Sequence, residues 1–204
     1  MKQYRIETRE LSKKFRRISL FRDISLELEG GSSLAITGPN GSGKSTLLQI
    51  LAGIQAPTRG AVDRLENEES LEITAFHRLL GFASPLIHLY GECTGIENIE
   101  FALGSSDSRE RADELLQYFG LIGHEKKALK TWSSGMQQRL KLICALAKSP
   151  PFLFLDEPGT NLDRSGKKLL YNRIDVMKKE ALVIIATNEP EEVELCAEVL
   201  NLGT

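Results

Sequence analysis

Cysteine is scarce in this sequence and follows no pattern. The 204 residues include three cysteines, which lie far apart and form no C-x-x-C pair (Cys93, Cys144 and Cys196). An odd number of scattered thiols argues against a disulfide framework and indicates a reducing compartment.

Long apolar runs are also missing. No stretch approaches the roughly 20 apolar residues that a membrane helix needs, and residues 1–5 lead into no apolar signal segment. We therefore expect a soluble, cytoplasmic protein. If it works at a membrane, another chain supplies the membrane-embedded part.

Neither sign of charge dominates. Lys and Arg total 26 and Asp and Glu total 28, for a formal net charge of -2. No basic face is implied, so we expect no nucleic acid partner. The length and the 41% hydrophobic content are ordinary for a single globular domain with one buried core. We find no internal repeat and no low-complexity segment.

A glycine-rich loop carries the strongest functional signal. It fits the P-loop pattern G-x-x-x-x-G-K-[ST] with Gly38, Pro39, Asn40, Gly41, Ser42, Gly43, Lys44, Ser45 and Thr46. Residues 34–37 before it predict a buried strand, and residues 47–52 after it predict a helix. Strand, loop and helix in this order are the context that the motif needs.

The residue types of this loop explain what it binds. Gly38, Gly41 and Gly43 lack Cβ atoms, so the loop can adopt positive φ and turn its N–H groups inward. These donors, and the positive end of the following helix, can surround a triphosphate. Lys44 adds a positive charge for the β- and γ-phosphates, and the Ser45 hydroxyl is placed to ligate Mg2+.

The alternative is a glycine-rich turn that matches the pattern by accident. Glycine makes up about 7% of an average chain, so chance matches occur on the order of one time in a hundred or fewer at this length. We therefore prefer the nucleotide-binding interpretation.

Two carboxylates follow a strongly apolar segment. Residues 152–155 are continuously apolar, which is typical of a strand covered on both faces, and Asp156 and Glu157 come directly after them. Ligands of open α/β sheets bind at the carboxyl ends of the strands. Beside a P-loop, Asp156 suits Mg2+, and Glu157 can orient or deprotonate an attacking water. On its own, Asp-Glu-Pro would indicate only a turn.

A second anion site is indicated at residues 132–139. Ser133 and Ser134 precede a periodic apolar run and are typical helix N-cap residues. With Gly135 they mark an exposed helix N-terminus, which can bind an anion. Taken alone, the same serines would indicate a simple N-cap.

Elsewhere in the chain, the sequence pattern predicts further strands and helices. Residues 4–8 and 24–29 predict antiparallel strands at the N-terminus. Further strands are predicted near 71–73 and at 79–83, 182–186 and 199–202. The middle third is helical, with a capping box at 94–97 and an amphipathic helix at 109–119, and a helix from Pro190 through Cys196 is expected near the end. We treat residues 1–204 as one domain with an inserted helical subdomain at about 86–150.

With these pieces in order, the whole chain resembles the nucleotide-binding subunit of ABC (ATP-binding cassette) transporters. Residues 38–46 resemble Walker A, residues 132–139 the ABC signature, residues 152–157 Walker B with the catalytic glutamate, and residues 159–163 the D-loop. Phe15 falls where the family has its A-loop aromatic. The resemblance implies an α/β P-loop NTPase fold with a mostly parallel core sheet, an N-terminal antiparallel β subdomain and an inserted α-helical subdomain.

Three motifs depart from the family pattern. Pro85 stands where the Q-loop glutamine is usual, and proline offers neither a side-chain carbonyl nor a backbone N–H. Asn188 replaces the switch histidine and cannot be protonated. The signature has Ser134 and Met136 where glycine and glutamine are usual. These changes bear on the rate of hydrolysis more than on nucleotide binding.

The resemblance also implies ligands, roles and partners. ATP and Mg2+ are the expected cofactors, and Lys44, Glu157 and Asn188 the expected catalytic residues. Nucleotide contacts are expected from Phe15 and residues 38–46, and from Ser133, Ser134 and Gly135 of an opposing subunit; Ser45 and Asp156 would hold the metal. The family forms head-to-tail dimers, here a homodimer or a paired cassette, around two nucleotides.

A transmembrane permease subunit is the implied partner, with this chain peripheral on the inner face of the cell membrane. The apolar loop 85–90 lies where the family docks its membrane partner, although an ordinary packed loop explains it equally well. A lone cassette favours an exporter. The alternatives are a soluble, non-transport ABC ATPase and a cassette that binds ATP but hydrolyses it weakly.

Overall fold

The computed structural model describes residues 2–16, 18–104 and 109–203. Along the chain the elements are β1 (Tyr4–Phe15), β2 (Ile18–Glu29), β3 (Ser33–Thr37), α1 (Lys44–Leu51), β4 (Arg59–Glu66), β5 (Glu69–Ser70), α2 (Ile73–Leu79), β6 (Leu80–Ala83), α3 (Gly95–Leu103), α4 (Arg109–Tyr118), α5 (Ser134–Leu146), β7 (Phe152–Asp156), α6 (Arg164–Met177), β8 (Leu182–Ala186), α7 (Pro190–Val193) and β9 (Glu198–Asn201). A short 3-10 helix, Leu129–Thr131, precedes α5. In the described ranges, no helix is both long enough and apolar enough to cross a membrane.

The apolar strands form a parallel sheet with the order β6-β7-β8-β3-β9. Alternate residues of β7 serve opposite faces, because side chains alternate along a strand. Leu153 and Leu155 pack with α3 to α6, whereas Phe152 and Phe154 pack with α1 and the N-terminal sheet. Both faces are therefore covered, and the predicted α/β fold with a parallel core is confirmed.

This strand order builds the functional edge of the sheet. β8 lies between β7 and β3, and all three strands run in the same direction. Their carboxyl ends therefore meet at one edge, and the segments that follow them are residues 38–46, 156–157 and 187–188. Segments that are distant in sequence become neighbours for this reason.

The predicted N-terminal antiparallel sheet is present, with the order β2-β1-β4-β5, but its first two strands are longer than predicted. The register of β1 and β2 shifts between Thr8 and Lys13, and Glu10 and Asp23 have positive φ values of 47° and 51°. Such β-bulges interrupt the alternation of polar and apolar residues, so the pattern hid half of each strand.

The predicted strand near residues 71–73 is wrong. The strand at this place is β5, and Ile73 begins α2, which the sequence pattern did not predict and which includes Leu79. The reason is packing: Phe76 of α2 is fully buried, with its ring centroid 5.0 Å from that of Phe152. Tertiary contacts outweigh the weak β-pattern of this short segment.

Two of the predicted helices of the middle third are present as α3 and α4. Thr94 caps α3 through a complete capping box with Glu97. The helices at 95–146 share one hydrophobic cluster with β7 and β8, and their separation as a subdomain stays a prediction. Near the end of the chain, α7 stops at Val193 rather than continuing to Cys196, and the last strand is β9 rather than 199–202.

Candidate nucleotide-binding site

The P-loop curls between β3 and α1 as its glycines require. Gly38, Gly41 and Gly43 have φ values of 138°, 85° and 103°, a region that residues with a Cβ rarely adopt. Gly43 is the N-cap of α1, and Lys44 is its first residue. The positive end of this helix therefore faces the interior of the loop.

The loop presents hydrogen-bond donors that the protein itself does not use. Within the described residues, the backbone N–H groups of Gly41, Gly43, Lys44 and Ser45 have no protein acceptor, and the buried hydroxyl of Ser42 has no partner. Unused donors that converge at a helix N-terminus fit an anion such as the phosphates of a nucleotide.

The Lys44 side chain lies over the same loop. It is 6% exposed, and its Nζ donates to the carbonyl oxygens of Gly38 at 2.8 Å and Pro39 at 3.4 Å. Both acceptors are neutral, so no carboxylate neutralises the ammonium in these contacts. Its charge therefore remains directed at the loop, where a phosphate would lie.

Asp156 holds its carboxylate between two serines at the end of β7. Its Oδ1 accepts a hydrogen bond from Ser45 Oγ and its Oδ2 accepts one from Ser84 Oγ, both at 2.9 Å. Burial raises the pKa of Asp156, while these hydrogen bonds and the charge of Lys44 act in the opposite direction. A hydroxyl and a carboxylate beside a phosphate site fit Mg2+, a cation that prefers oxygen ligands.

Glu157 faces the cleft in front of the P-loop. Its φ of 47° turns the chain sharply after β7, and its N–H donates to the Ala186 carbonyl at 2.9 Å. The cleft measures about 290 Å³ and is lined by Leu20, Asn40, Gly41, Gly43, Lys44, Ser45, Thr46 and Glu157. A strained, exposed carboxylate here is positioned to act on a bound phosphate group.

Asn188 contacts the P-loop directly. It follows β8 and its Oδ1 accepts a hydrogen bond from the Gly38 N–H at 3.3 Å, while its Nδ2 donates to Asn40 Oδ1 at 3.4 Å. The three strand ends thus bring Lys44, Asp156 and Asn188 to one site.

The signature residues lie apart from this cleft. Ser133 caps α5 by accepting the Met136 N–H at 3.2 Å, and a Cβ on Gly135 would lie 2.9 Å from the Asn161 carbonyl oxygen. Neither residue, nor Ser134, is among the described residues that line the cleft. Within one chain, the signature packs against the loop that follows Glu157.

Phe15 also lies outside the cleft lining. It is 47% exposed at the end of β1, and the Lys13 ammonium lies 5.0 Å from its ring centroid. Its contact with a nucleotide base stays a prediction. Leu20 lines the cleft instead, and it lies so close to the P-loop that a Cβ added to Gly43 would be 3.1 Å from the Leu20 Cβ.

Sequence analysis missed Ser84 and Leu20. Ser84 is buried at the end of β6, and the signal that could have identified it is a polar residue at the carboxyl end of a strand. Leu20 carries no such signal, because it lies in the first half of β2, which the pattern did not predict.

Comparison with known proteins gives consistent results. The family model for ABC transporters matches residues 21–160. The ABC transporter ATP-binding protein YxlF of Bacillus subtilis is 33% identical over 196 residues, which cover 93% of this chain and 65% of YxlF. The sulfate/thiosulfate import ATP-binding protein CysA 2 of Rhizobium meliloti is 30% identical over 207 residues, which cover 96% of this chain and 56% of CysA 2. The chain thus spans less than two thirds of the length of these two relatives.

A solved structure supports the same assignment. The ATP-binding subunit of an ABC transporter superposes with a TM-score of 0.87 and 26% sequence identity, and the match covers 97% of this chain and 85% of that one. With the family model matching well over half of its length, the chain belongs to the ABC transporter family and carries that family's ATP-binding cassette.

Proposed function

We propose that the chain is the ATP-binding and ATP-hydrolysing subunit of an ABC transporter. One observation carries the proposal: the unused P-loop donors, the Lys44 ammonium, the Ser45–Asp156 pair and Glu157 meet at one edge of the sheet. This combination supplies a phosphate cradle, a metal site and a carboxylate for water in one place.

Nucleotide binding follows from charge. The N–H groups of Gly41, Gly43 and Ser45 and the Lys44 ammonium would surround the β- and γ-phosphates of ATP. Ser45 and Asp156 would hold Mg2+, which supplies charge neutralisation on the phosphates when bound. For this, the Ser45 hydroxyl must exchange its hydrogen bond to Asp156 for the cation.

Hydrolysis then needs a water and a place for its proton. Glu157 would orient the water and accept its proton while the water oxygen attacks the γ-phosphorus and the bond to the β-phosphate oxygen breaks, giving ADP and phosphate. Asn188 would contact the γ-phosphate through its Nδ2 amide. Because asparagine stays neutral, it contributes a hydrogen bond without a positive charge.

A second cassette would complete the site. Ser133, Ser134 and Gly135 do not line the cleft of their own chain, and they mark the exposed N-terminus of the 13-residue helix α5. In a head-to-tail dimer, this helix end would face the phosphates bound by the opposing P-loop. ATP would then bridge the two copies, and loss of the γ-phosphate would loosen them. The dimer is a homodimer or a pair with another cassette.

An apolar surface supports a membrane-embedded partner. Leu86, Tyr90 and Phe101 are exposed by 65%, 62% and 64%, and the rings of Tyr90 and Phe101 touch with centroids 5.2 Å apart. Asn98 fixes the loop by accepting the Tyr90 N–H and donating to its carbonyl. Adjoining exposed apolar side chains are typical of an interaction site, and we propose that a transmembrane permease subunit docks here. The chain would then lie on the inner face of the cell membrane.

The direction of transport is a finer prediction. Export stays a proposal, and the sulfate/thiosulfate import proteins among the relatives favour the opposite direction. Uptake or release of labelled substrate by vesicles that carry the permease and this chain would distinguish the two directions.

Release of phosphate from MgATP tests the proposed activity. We expect the wild-type chain to release phosphate, and the Glu157→Gln variant to be slower by about two orders of magnitude or more. Glu194→Gln removes the same charge from an exposed position and should leave the rate unchanged. Equal background rates in the wild type and Glu157→Gln would contradict the activity and favour a cassette that only binds ATP.

Co-purification from native membranes tests the partner. An integral membrane protein that is retained by the wild type and lost from a Tyr90→Ser, Phe101→Ser variant would support a transporter subunit. Retention of the same protein by both would contradict docking at this surface. An active ATPase that retains no membrane protein would favour a soluble ABC ATPase.

A further inference from the structure

A carboxylate that the proposed reaction does not use is buried beside the site. Glu192 of α7 is 0% exposed, and its Oε1 accepts the Gly159 N–H at 2.9 Å. Its Oε2 is buried without a hydrogen-bond partner. The two residues pack closely, because a Cβ added to Gly159 would lie only 2.5 Å from Glu192 Oε1.

The surroundings of Glu192 do not neutralise it. The Tyr171 hydroxyl donates to Oε1 at 3.5 Å. The Thr187 side chain and the Gly159 N–H lower the pKa of the carboxyl by hydrogen bonding, and Lys167 lowers it less and bonds to Glu189 at 3.1 Å. Burial is the largest influence and raises the pKa of Glu192. A buried carboxylate of this kind is costly, and an apolar side chain would pack α7 at least as well. Its presence therefore points to the group that it binds.

The group it binds belongs to the loop that carries Glu157. That loop is attached at two places, to the end of β8 through the Glu157 N–H and the Ala186 carbonyl, and to α7 through the Gly159 N–H and Glu192. In sequence, Asn188 lies between Ala186 and Glu192, the two residues to which the loop is attached. The loop's far end, at Asn161, packs against Gly135 at the start of α5.

We propose that Glu192 is a positioning residue for hydrolysis. By binding Gly159, it fixes the loop 157–163 relative to the segment 187–192, so that Glu157 and Asn188 face the same γ-phosphate. It touches neither nucleotide nor metal, and it acts through the hydrogen bond rather than through its charge. The inference rests on the proposed ATPase function of the site.

Two substitutions separate the hydrogen bond from the charge. Glu192→Gln keeps an oxygen that can accept the Gly159 N–H but removes the charge. Glu192→Asp keeps the charge but shortens the side chain by one methylene and withdraws the oxygen from Gly159. Glu194→Gln on the exposed side of the same segment is the control.

We expect Glu192→Asp to lower kcat by about ten- to a hundredfold, with the KM for MgATP within about twofold of wild type, because misplacement of a reacting group affects the chemical step. Glu192→Gln should keep kcat within about threefold, since the accepting oxygen is retained. Both rates are normalised to the folded fraction measured by circular dichroism, so that loss of fold is not counted as loss of kcat.

The opposite ranking, with Glu192→Gln impaired and Glu192→Asp active, would overturn the inference, as would wild-type kcat in both variants. A rise in KM at unchanged kcat would also overturn it. Each of these results requires an active wild type, whereas a wild type that releases no phosphate counts against the proposed function itself.

Discussion

Ser84 Oγ donates a 2.9 Å hydrogen bond to Asp156 Oδ2, on the opposite oxygen from the one that Ser45 contacts. The Ser84 hydroxyl also accepts the Leu86 N–H at 3.3 Å, so it is oriented from both sides. Ser84 stands directly before Pro85, the position at which the family resemblance leads one to expect a glutamine. The residue next to the missing glutamine thus fixes the carboxylate that we propose for the metal.

Replacing Ser84 tests this arrangement. Ser84→Ala leaves the buried Asp156 Oδ2 without its hydrogen bond, so we expect the free energy of unfolding to fall by about 1–3 kcal/mol. The Mg2+ concentration for half-maximal phosphate release should rise, because Asp156 is less well oriented. Urea denaturation and a magnesium titration measure the two effects.

Ser84→Thr keeps a hydroxyl, so its free energy of unfolding and its magnesium requirement should lie between those of Ser84→Ala and the wild type. Ser70→Ala, on exposed β5, is the control for stability. An unchanged magnesium requirement in Ser84→Ala would separate Ser84 from the metal site.

Ser133 offers a test of the proposed dimer, because its cap function and its nucleotide function can be separated. Aspartate is as good an N-cap residue as serine, so Ser133→Asp should keep the stability of α5 within about 0.5 kcal/mol of wild type. A carboxylate facing the phosphates of the opposing P-loop would repel them. We therefore expect the ATP-dependent dimer to disappear while the monomer remains folded.

Light scattering after size-exclusion chromatography in MgATP measures dimer formation. Each variant is combined with Glu157→Gln, so that bound ATP is not hydrolysed during the measurement. Ser70→Asp, on exposed β5 of the N-terminal sheet, adds the same charge away from the signature and should still dimerise. If Ser133→Asp dimerises as well as its parent, Ser133 is an N-cap and no more.

The buried Glu192 makes a prediction about pH and stability. Its pKa is raised above the ordinary value of about 4.3, so the folded state binds the proton more tightly than the unfolded state does. The stability that this group contributes is therefore present at low pH and is lost as pH rises through the raised pKa. Glutamine does not titrate, so Glu192→Gln should gain stability relative to wild type as pH rises above about 4.3, the ordinary pKa of the unfolded state.

Urea denaturation of both proteins at several pH values above about 4.3 measures the difference in their free energies of unfolding. The exposed Glu194→Gln variant should follow the wild type throughout. A difference between Glu192→Gln and wild type that shrinks as pH rises would contradict a raised pKa.

The parts of the molecule that were predictable are those with strong local signals. The P-loop glycines, the continuous apolar run of β7 and the capping box at Thr94 each determine their own conformation, and all three are present as predicted. The parallel order of the strands was implied by the family resemblance, and it explains why residues near 44, 156 and 188 meet.

What sequence could not supply depends on distant contacts. The β-bulges at Glu10 and Asp23 concealed the length of the first two strands, and α2 forms because Phe76 packs against Phe152. The bonds from Ser84 to Asp156 and from Gly159 to Glu192 join residues that only the fold brings together. No local pattern marks either pair.

The central claim is that residues 38–46 bind a nucleoside triphosphate. Isothermal titration calorimetry of the wild-type chain with MgATP tests it most directly, with Lys44→Ala as the test variant and Lys168→Ala, on the exposed face of α6, as the control. The account predicts saturable binding by the wild type and by Lys168→Ala, and binding weakened by at least about tenfold in Lys44→Ala. No binding to the wild type, or equal binding by Lys44→Ala, would contradict it.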